Sequence, residues 1–208
     1  IGKHLVVKKN IAVGVKMFGK DDILIVCALE KETAGELVDW NILYTGVGKV
    51  NATYKLTHRL TDSTHGEPKI VINYGTAGSR DLPIGELVDC TKFVQRDMNV
   101  SGLGFMEGQT PFENDVPIIL DSTDIKFNPI GKNYVCGTGD NFVENIEDIS
   151  GYIDVLDMEA YALAKVCRYL HIPFISFKYI TDNANEHASG DWEDNCSNGI
   201  HEFKGRIL

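Results

Sequence analysis

Two segments of this chain are apolar over all or most of their length, and they constrain the fold more than any other feature. Residues 23–28 are apolar at every position, and residues 174–180 are mostly apolar. Neither shows the alternation of polar and apolar side chains that a strand with one solvent-exposed face has. They predict central strands of a sheet that is covered on both faces.

Shorter apolar runs, bounded by glycine or by polar turns, predict further strands. Between several of them lie helical patterns with an apolar stripe. Strands that alternate with helices are typical of an α/β fold, so we predict one domain with a twisted, mostly parallel mixed sheet flanked by helices. Residues 23–208 would form this domain, and residues 1–22 an N-terminal extension. The predicted strands are 23–28, 42–44, 69–74, 87–94, 134–136, 153–156 and 173–180, and the predicted helices are 49–60, 141–149 and 158–170.

Charge and cysteine usage argue against several classes of function. The formal net charge is -10, which repels polyanions and argues against nucleic-acid binding, while a single small metabolite fits. No apolar run approaches the about 20 residues that span a bilayer, so we expect no membrane span and no secretory signal. The five cysteines are odd in number and lack paired spacing, which favours reduced, buried thiols in the cytoplasm. The six histidines show no metal-binding spacing, and we expect neither a metal nor a cofactor.

Residues that could carry chemistry follow several of the predicted strands. Ligands of such folds bind at the carboxyl ends of strands, so these loops are the candidate site. Each residue also has an ordinary explanation: Glu32 as a solvated glutamate in a first helical turn, Asp182 as an N-cap or Asx turn, Phe142 as a core residue. The glycines of 75–79 either bring the backbone close to a ligand or make a tight turn. The acidic stretch 191–194 reads as a solvated helix start rather than a metal or partner site.

The order and spacing of these loops carry a resemblance to a known family. The segments are CALEKE at 27–32, TGVGKVNA at 45–52, INYGTAG at 72–78, GDNF at 139–142, DMEA at 157–160 and TD at 181–182. Together they resemble the 5'-methylthioadenosine/S-adenosylhomocysteine nucleosidases of the nucleoside phosphorylase superfamily, over most of the chain. The resemblance implies a nucleoside phosphorylase-like fold. It also implies hydrolysis of the N-glycosidic bond of one or both nucleosides, which releases adenine and the 5'-thio-substituted ribose.

The resemblance also assigns roles to residues. Asp182 would protonate or hydrogen-bond adenine N7, and Glu32 would orient and deprotonate the attacking water. A ribosyl cation-like transition state needs such an acid and base on opposite faces of the sugar. Glu159 would hold the ribose hydroxyls. The remaining residues assigned to the substrate are Met158 under the sugar, Phe142 and Val143 at the purine, Thr76 and Gly78 beside the water and sugar, and Thr181 and Lys178 next to the acid.

In this family a neighbouring subunit closes the pocket for the 5'-substituent, so the resemblance implies a homodimer. The matching apolar candidates here are Val100, Leu103 and Phe105, within residues 97–108. The 5' pocket also decides between substrates. Leu103 and Phe105 favour a thioalkyl group, whereas a hydrolase of another 5'-modified nucleoside such as futalosine would accommodate an aromatic acid. A non-catalytic nucleoside sensor on the same scaffold is a further alternative, but both proposed catalytic carboxylates are present.

Phosphorylases of the same superfamily use phosphate instead of water, and arginine forks hold that phosphate. Asn73 and the stretch 30–32 occupy the positions that correspond to two such arginines, and Arg80 reads as a solvated surface residue. Water is therefore favoured over phosphate as the nucleophile. Lys178 stands where the nucleosidases commonly carry arginine, which keeps the charge but loses the planar fork.

Overall fold

An eight-stranded mixed sheet organises the computed structural model, which describes residues 18–113, 118–145, 149 and 152–208. The sheet order is β2-β1-β3-β7-β6-β4-β5, and β8 pairs with β3 and β4. Parallel pairing joins β1 to β2 and β3, β3 to β8, and β6 to β4 and β7, whereas β3–β7, β4–β5 and β4–β8 are antiparallel. This confirms a mostly parallel mixed sheet. The strands are β1 Ile23–Cys27, β2 Ile42–Tyr44, β3 Ile70–Gly78, β4 Leu87–Gln95, β5 Leu120–Asp121, β6 Tyr134–Thr138, β7 Val155–Asp157 and β8 Phe174–Asp182.

Successive pairings β3–β8–β4–β6–β7–β3 close a ring, so the central strands have no free edge. Helices cover the sheet from both sides, which explains why β1 and β8 are buried over almost their whole length. One side packs against α2 (Lys49–Thr61) and α3 (Ala160–Tyr169) through an apolar cluster that includes Leu56 and Leu163. The other side packs against α5 (Ile200–Ile207), where Phe203 stacks on Tyr74 at 4.4 Å between ring centroids. The helices are α1 Glu30–Thr33, α2 Lys49–Thr61, α3 Ala160–Tyr169, α4 Ala188–Asn195 and α5 Ile200–Ile207.

Several strands run beyond their predicted ends, and two of these extensions form part of the site. The strand predicted over 69–74 continues to Gly78, and the strand predicted over 173–180 continues to Asp182. The two pair in parallel through these extensions, from Gly75 opposite Lys178 to Gly78 opposite Asp182. The turn interpretation of residues 75–79 is therefore wrong, and these glycines lie in extended backbone.

The short helix predicted over 141–149 is absent from its described part, residues 141–145 and 149. The backbone carbonyl of Asn141 accepts a hydrogen bond from the Arg96 guanidinium at 2.6 Å instead of from a helical amide. Residues 146–148 lie outside the described residues. The elements α1, β5 and α5 were not predicted, and α4 was predicted only as a helix start at 191–194, because short strands and short helices carry weak periodic signals.

All five cysteines are free and buried, as predicted. Among the described residues, no helix combines the length and the apolar composition that crossing a membrane requires. Most of the predicted extension, residues 1–17, lies outside the described residues, and Lys20–Asp22 form a turn of 3-10 helix that leads into β1. The boundary between extension and domain stays a prediction.

Candidate active site

A cavity of about 250 Å³ lies where the carboxyl ends of β3, β7 and β8 meet α1 and the loop after β6. The strand-end residues singled out from the sequence converge there, including both proposed catalytic carboxylates. The fold therefore brings together loops that are far apart in the chain, as expected of ligand sites in such sheets. The predicted site residues that line it are Glu32, Thr76, Gly78, Phe142, Val143, Met158, Glu159 and Asp182.

Glu32 is buried at the end of the four-residue helix α1 and is only 4% exposed. Its Oε1 accepts hydrogen bonds from the amide and the hydroxyl of Thr76, at 2.8 and 2.9 Å. Its Oε2 accepts the amide of Leu29 at 2.9 Å. Three donors therefore hold the carboxylate in one orientation. The interpretation of Glu32 as a solvated glutamate is wrong.

Gly75 makes room for this carboxylate, because a Cβ there would lie 3.2 Å from Glu32 Oε1 and 3.3 Å from Lys178 Nζ. At Gly78 a Cβ would lie 2.5 Å from Asp182 Oδ1, which is closer than real Cβ atoms approach. A side chain at Gly78 would force Asp182 to move, and one at Gly75 would press on Glu32 and Lys178, so both glycines are explained by the close approach of charged side chains and not by a turn.

Asp182 ends β8 and is only 3% exposed. Its Oδ2 accepts the hydroxyl of Thr181 at 2.9 Å, and its Oδ1 accepts the amide of Ala184 at 3.0 Å, which is an Asx turn. Burial raises the pKa of Asp182, and these hydrogen bonds oppose only part of that effect. The side chain is thus suited to holding a proton at higher pH than an exposed aspartate.

Glu159 lies at the start of α3, and its Oε1 accepts the amide of Gly48 at 2.8 Å. Burial, together with the neighbouring charge of Asp157, raises the pKa of Glu159 to about 8. Asp157 caps the same helix, because its Oδ2 accepts the amides of Glu159 and Ala160 at 3.2 and 2.8 Å. The predicted capping of α3 is thus confirmed for Asp157, while Glu159 faces the cavity.

A buried ion pair lies behind the part of the cavity that Asp157 and Glu159 line. Lys178 Nζ is 2.8 Å from Asp157 Oδ2, and each side chain is 1% exposed. Burial disfavours both charges, but the attraction between them outweighs it, so the pKa of Lys178 is raised and that of Asp157 is lowered. The structure does not bring Lys178 into the cavity lining, and it contacts the site through Asp157.

We predict that Lys178→Met lowers the free energy of unfolding by about 3–5 kcal/mol, because it leaves the Asp157 carboxylate buried without its partner. Urea denaturation of the purified variant measures this. The double variant Lys178→Met with Asp157→Asn removes both charges and should recover much of the loss. A single variant within about 1 kcal/mol of the unmodified protein contradicts the prediction.

Phe142 and Val143 also line the cavity, and their loop is held by Arg96. The Arg96 guanidinium donates to the side-chain oxygen and to the carbonyl of Asn141, at 2.8 and 2.6 Å. Phe142 is 43% exposed and lines the cavity, so the interpretation as a core phenylalanine is wrong. An exposed aromatic face beside acidic groups suits a flat heteroaromatic ligand.

Comparison with known proteins agrees with this geometry. The Phosphorylase superfamily model matches residues 30–145 and 137–204. A 5'-methylthioadenosine/S-adenosylhomocysteine nucleosidase of Exiguobacterium sp. is 31% identical over 169 residues, which cover 74% of this chain and 71% of that protein. One of Haemophilus ducreyi is 31% identical over 173 residues, covering 74% and 72%. The chain belongs to this nucleosidase family.

Solved structures show the same fold. The nucleosidase of Helicobacter pylori superposes with a TM-score of 0.76 at 22% identity and covers 91% of this chain and 98% of its own. The futalosine hydrolase of Helicobacter pylori also gives a TM-score of 0.76, at 20% identity, covering 89% and 96%. The nucleoside phosphorylase-like fold predicted for this family member is confirmed. Fold likeness alone does not separate the two kinds of hydrolase.

Besides Lys178, four residues assigned to the substrate lie away from the cavity of their own chain. Thr181 is buried beneath it and hydrogen-bonds Asp182. Val100 and Phe105 are half-buried and Leu103 is 75% exposed, all within or beside the 3-10 turn Ser101–Leu103. These three line no part of the cavity in the described residues, so a role for them requires a second chain.

Trp192 and Arg96 are among the cavity residues of this nucleosidase family member that were not identified from the sequence. Trp192 lies within α4, which begins at Ala188 rather than at 191, and its indole nitrogen donates to Thr76 Oγ1 at 3.0 Å. Arg96 follows β4 and reaches the loop after β6. Their place in the cavity follows only from contacts with residues far away in the sequence. For Trp192 the one signal in the sequence is a large aromatic residue in an otherwise polar stretch.

Proposed function

We propose that this chain hydrolyses the N-glycosidic bond of 5'-methylthioadenosine, S-adenosylhomocysteine or both, releasing adenine and the 5'-thio-substituted ribose. The chain is then an N-glycosyl hydrolase whose substrate is a small nucleoside. One observation carries the proposal: the carboxyls of Glu32 and Asp182, from opposite ends of the chain, line the same cavity. The names of the relatives, which are nucleosidases for these two compounds, support the choice of substrate.

In the proposed mechanism, Asp182 donates a proton to adenine N7 as the bond between ribose C1' and adenine N9 breaks. Its raised pKa supports this role, because a carboxyl must be protonated to act as an acid near neutral pH. Glu32 takes a proton from water, whose oxygen bonds to C1'. Its fixed orientation, held by three donors, supports the role of base. The departing adenine carries the electron pair of the broken bond.

The remaining cavity residues would hold the substrate. Phe142 and Val143 would bind the purine through ring contact and main-chain hydrogen bonds. Met158 would lie under the sugar, and Glu159 would hold the ribose hydroxyls, where its raised pKa lets it donate as well as accept. Thr76 and Gly78 would flank the water and the sugar.

The charges around the cavity support water rather than phosphate as the nucleophile. Four carboxyl groups line it, namely Glu32, Asp157, Glu159 and Asp182, and the proposed base Glu32 would repel a phosphate dianion. Among the described residues one arginine, Arg96, lines the cavity, and its fork is engaged by Asn141. Asn73 is buried and bonds the carbonyl of Val26, and Arg80 pairs with Asp81.

Product analysis tests the proposal. The protein is incubated with 5'-methylthioadenosine, S-adenosylhomocysteine, inosine and futalosine, with and without phosphate, and the sugar product is identified. We expect adenine and free 5-methylthioribose from the first nucleoside at the same rate with and without phosphate. A sugar phosphate would show a phosphorylase instead. Preferential cleavage of futalosine would favour the second candidate, a hydrolase of another 5'-modified nucleoside.

We further propose a cytoplasmic homodimer in which residues 97–108 of one chain close the cavity of the other. The exposed apolar side chains near this segment support it, because such surface is costly in water unless a partner covers it. Phe105 contacts Phe112, which is exposed, at 5.4 Å between ring centroids, so they form one apolar patch. Five free buried thiols suit a reducing compartment. Analytical ultracentrifugation that finds only monomer at assay concentrations contradicts the dimer.

A further inference from the structure

Trp192 makes a hydrogen bond that none of the roles above requires. Its indole nitrogen donates to Thr76 Oγ1 at 3.0 Å, and the same hydroxyl donates to Glu32 Oε1 at 2.9 Å. The chain of two bonds links α4, β3 and α1 across the cavity wall. It therefore joins a half-buried aromatic side chain to the carboxylate that we propose as the base.

The direction of both bonds is fixed by chemistry. An indole nitrogen can only donate, and an ionised carboxylate can only accept. The Thr76 hydroxyl has a single proton, so its oxygen must accept from Trp192 and its proton must go to Glu32. With the indole nitrogen in place, the hydroxyl is therefore held in one rotational state, pointing at Oε1.

The two carboxylate oxygens of Glu32 accept different numbers of hydrogen bonds. Each carboxylate oxygen has about two acceptor positions. Oε1 uses both, for the amide and the hydroxyl of Thr76. Oε2 uses one, for the amide of Leu29 at 2.9 Å. Among the described residues no further donor to Glu32 occurs, so the remaining acceptor position is on Oε2.

We propose that Trp192 is a positioning residue: through the Thr76 hydroxyl it saturates Oε1 of Glu32 and leaves Oε2 as the oxygen that takes the proton from water. This inference rests on the proposed role of Glu32. In the step, a water proton moves to Oε2 while the water oxygen bonds to ribose C1'. The bond from C1' to N9 breaks, and adenine receives its proton from Asp182. No other reactant is required.

The test compares tryptophan-to-phenylalanine changes at two sites. Trp192→Phe keeps an aromatic ring but removes the donor, and we expect kcat to fall about 3- to 10-fold with KM within about twofold, the size of one neutral hydrogen bond. Trp40→Phe is the matched control. The two are the only tryptophans of the chain, and a lysine nitrogen lies about equally near each ring, Lys31 at 4.8 Å and Lys20 at 5.0 Å. Trp40→Phe should keep kcat unchanged.

A double-mutant cycle with Thr76 shows whether Trp192 acts through the hydroxyl. In a Thr76→Val background, Trp192→Phe should cause no further loss of kcat, whereas in a Thr76→Ser background it should cause its full loss. An equal loss of kcat in the unmodified, Thr76→Val and Thr76→Ser backgrounds overturns the inference, and so does an unchanged kcat in Trp192→Phe. Absence of nucleosidase activity in the unmodified protein is a different failure, which overturns the proposed function and this inference with it.

A spectroscopic measurement checks the hydrogen bond independently of turnover. With two tryptophans, the nitrogen-proton correlation spectrum has two indole signals, and Trp40→Phe identifies that of Trp192. Thr76→Val should shift the Trp192 signal to lower proton frequency, and Thr76→Ser should leave it near its original place. A Trp192 signal that is the same in all three proteins overturns the inference even if Trp192→Phe lowers kcat.

Discussion

Asp182→Asn is expected to lower adenine release from 5'-methylthioadenosine by about 100- to 10,000-fold, the usual contribution of a general acid. The amide cannot supply the proton that the departing purine needs. The fold should persist, because asparagine still accepts the Ala184 amide through its oxygen. The Thr181 hydroxyl can turn to the carbonyl of Ala77, which it already approaches at 3.3 Å.

A substrate with an activated leaving group separates loss of the acid from general damage. A 4-nitrophenyl riboside releases an anion that needs no proton, so Asp182→Asn should cleave it at close to the unmodified rate. Asp191→Asn is the matched control, because it removes a carboxylate near Asp182 that does not line the cavity. Normal turnover of 5'-methylthioadenosine by Asp182→Asn would refute the assignment of the acid.

The pH dependence of the unmodified protein follows from the same group. Burial raises the pKa of Asp182, so its protonated fraction falls as the pH rises through that raised value. The kcat/KM for 5'-methylthioadenosine should therefore fall on the alkaline side, because it reports the free enzyme's acid. With the 4-nitrophenyl riboside the part of this fall that Asp182 causes should be absent, and a fall that remains reports Glu159, whose pKa is raised to about 8.

The strands and the location of the site could be predicted because their signals are local. Residues 23–28 and 174–180 show burial on both faces through composition alone. A ligand site at the ends of such strands follows from the sheet type. The cavity at the ends of β3, β7 and β8 agrees with that expectation.

The residues that were misinterpreted or missed from the sequence owe their positions to contacts between distant parts of the chain. Glu32 looks like a surface glutamate until Thr76, 44 positions away, supplies two of its donors. Trp192 reaches Thr76 across 116 positions. The glycines of 75–78 suggest a turn locally, yet parallel pairing with β8 extends them and places charged side chains against them. Tertiary packing thus overrode the local preference in each case.

Loss of Glu32 should differ from loss of Asp182 in a measurable way. Water must be deprotonated whatever the leaving group is, so Glu32→Ala should lose about 100- to 10,000-fold in turnover of both 5'-methylthioadenosine and the 4-nitrophenyl riboside. Glutamine is a less informative replacement. If its oxygen faces Thr76, its NH₂ group meets the Leu29 amide, so two donors face each other.

Rescue by azide tests the assignment of Glu32 as the base directly. Alanine at position 32 removes a carboxylate and leaves space for a small anion, and azide attacks C1' without first losing a proton. We expect azide to restore turnover of Glu32→Ala and to yield the ribosyl azide, with Asp182 still protonating adenine. It should give no comparable gain in Asp182→Asn with 5'-methylthioadenosine, because that variant retains its base and lacks the proton for the purine. Equal rescue of both variants would contradict the division of acid and base between these two residues, since only one of them is proposed to act on the nucleophile.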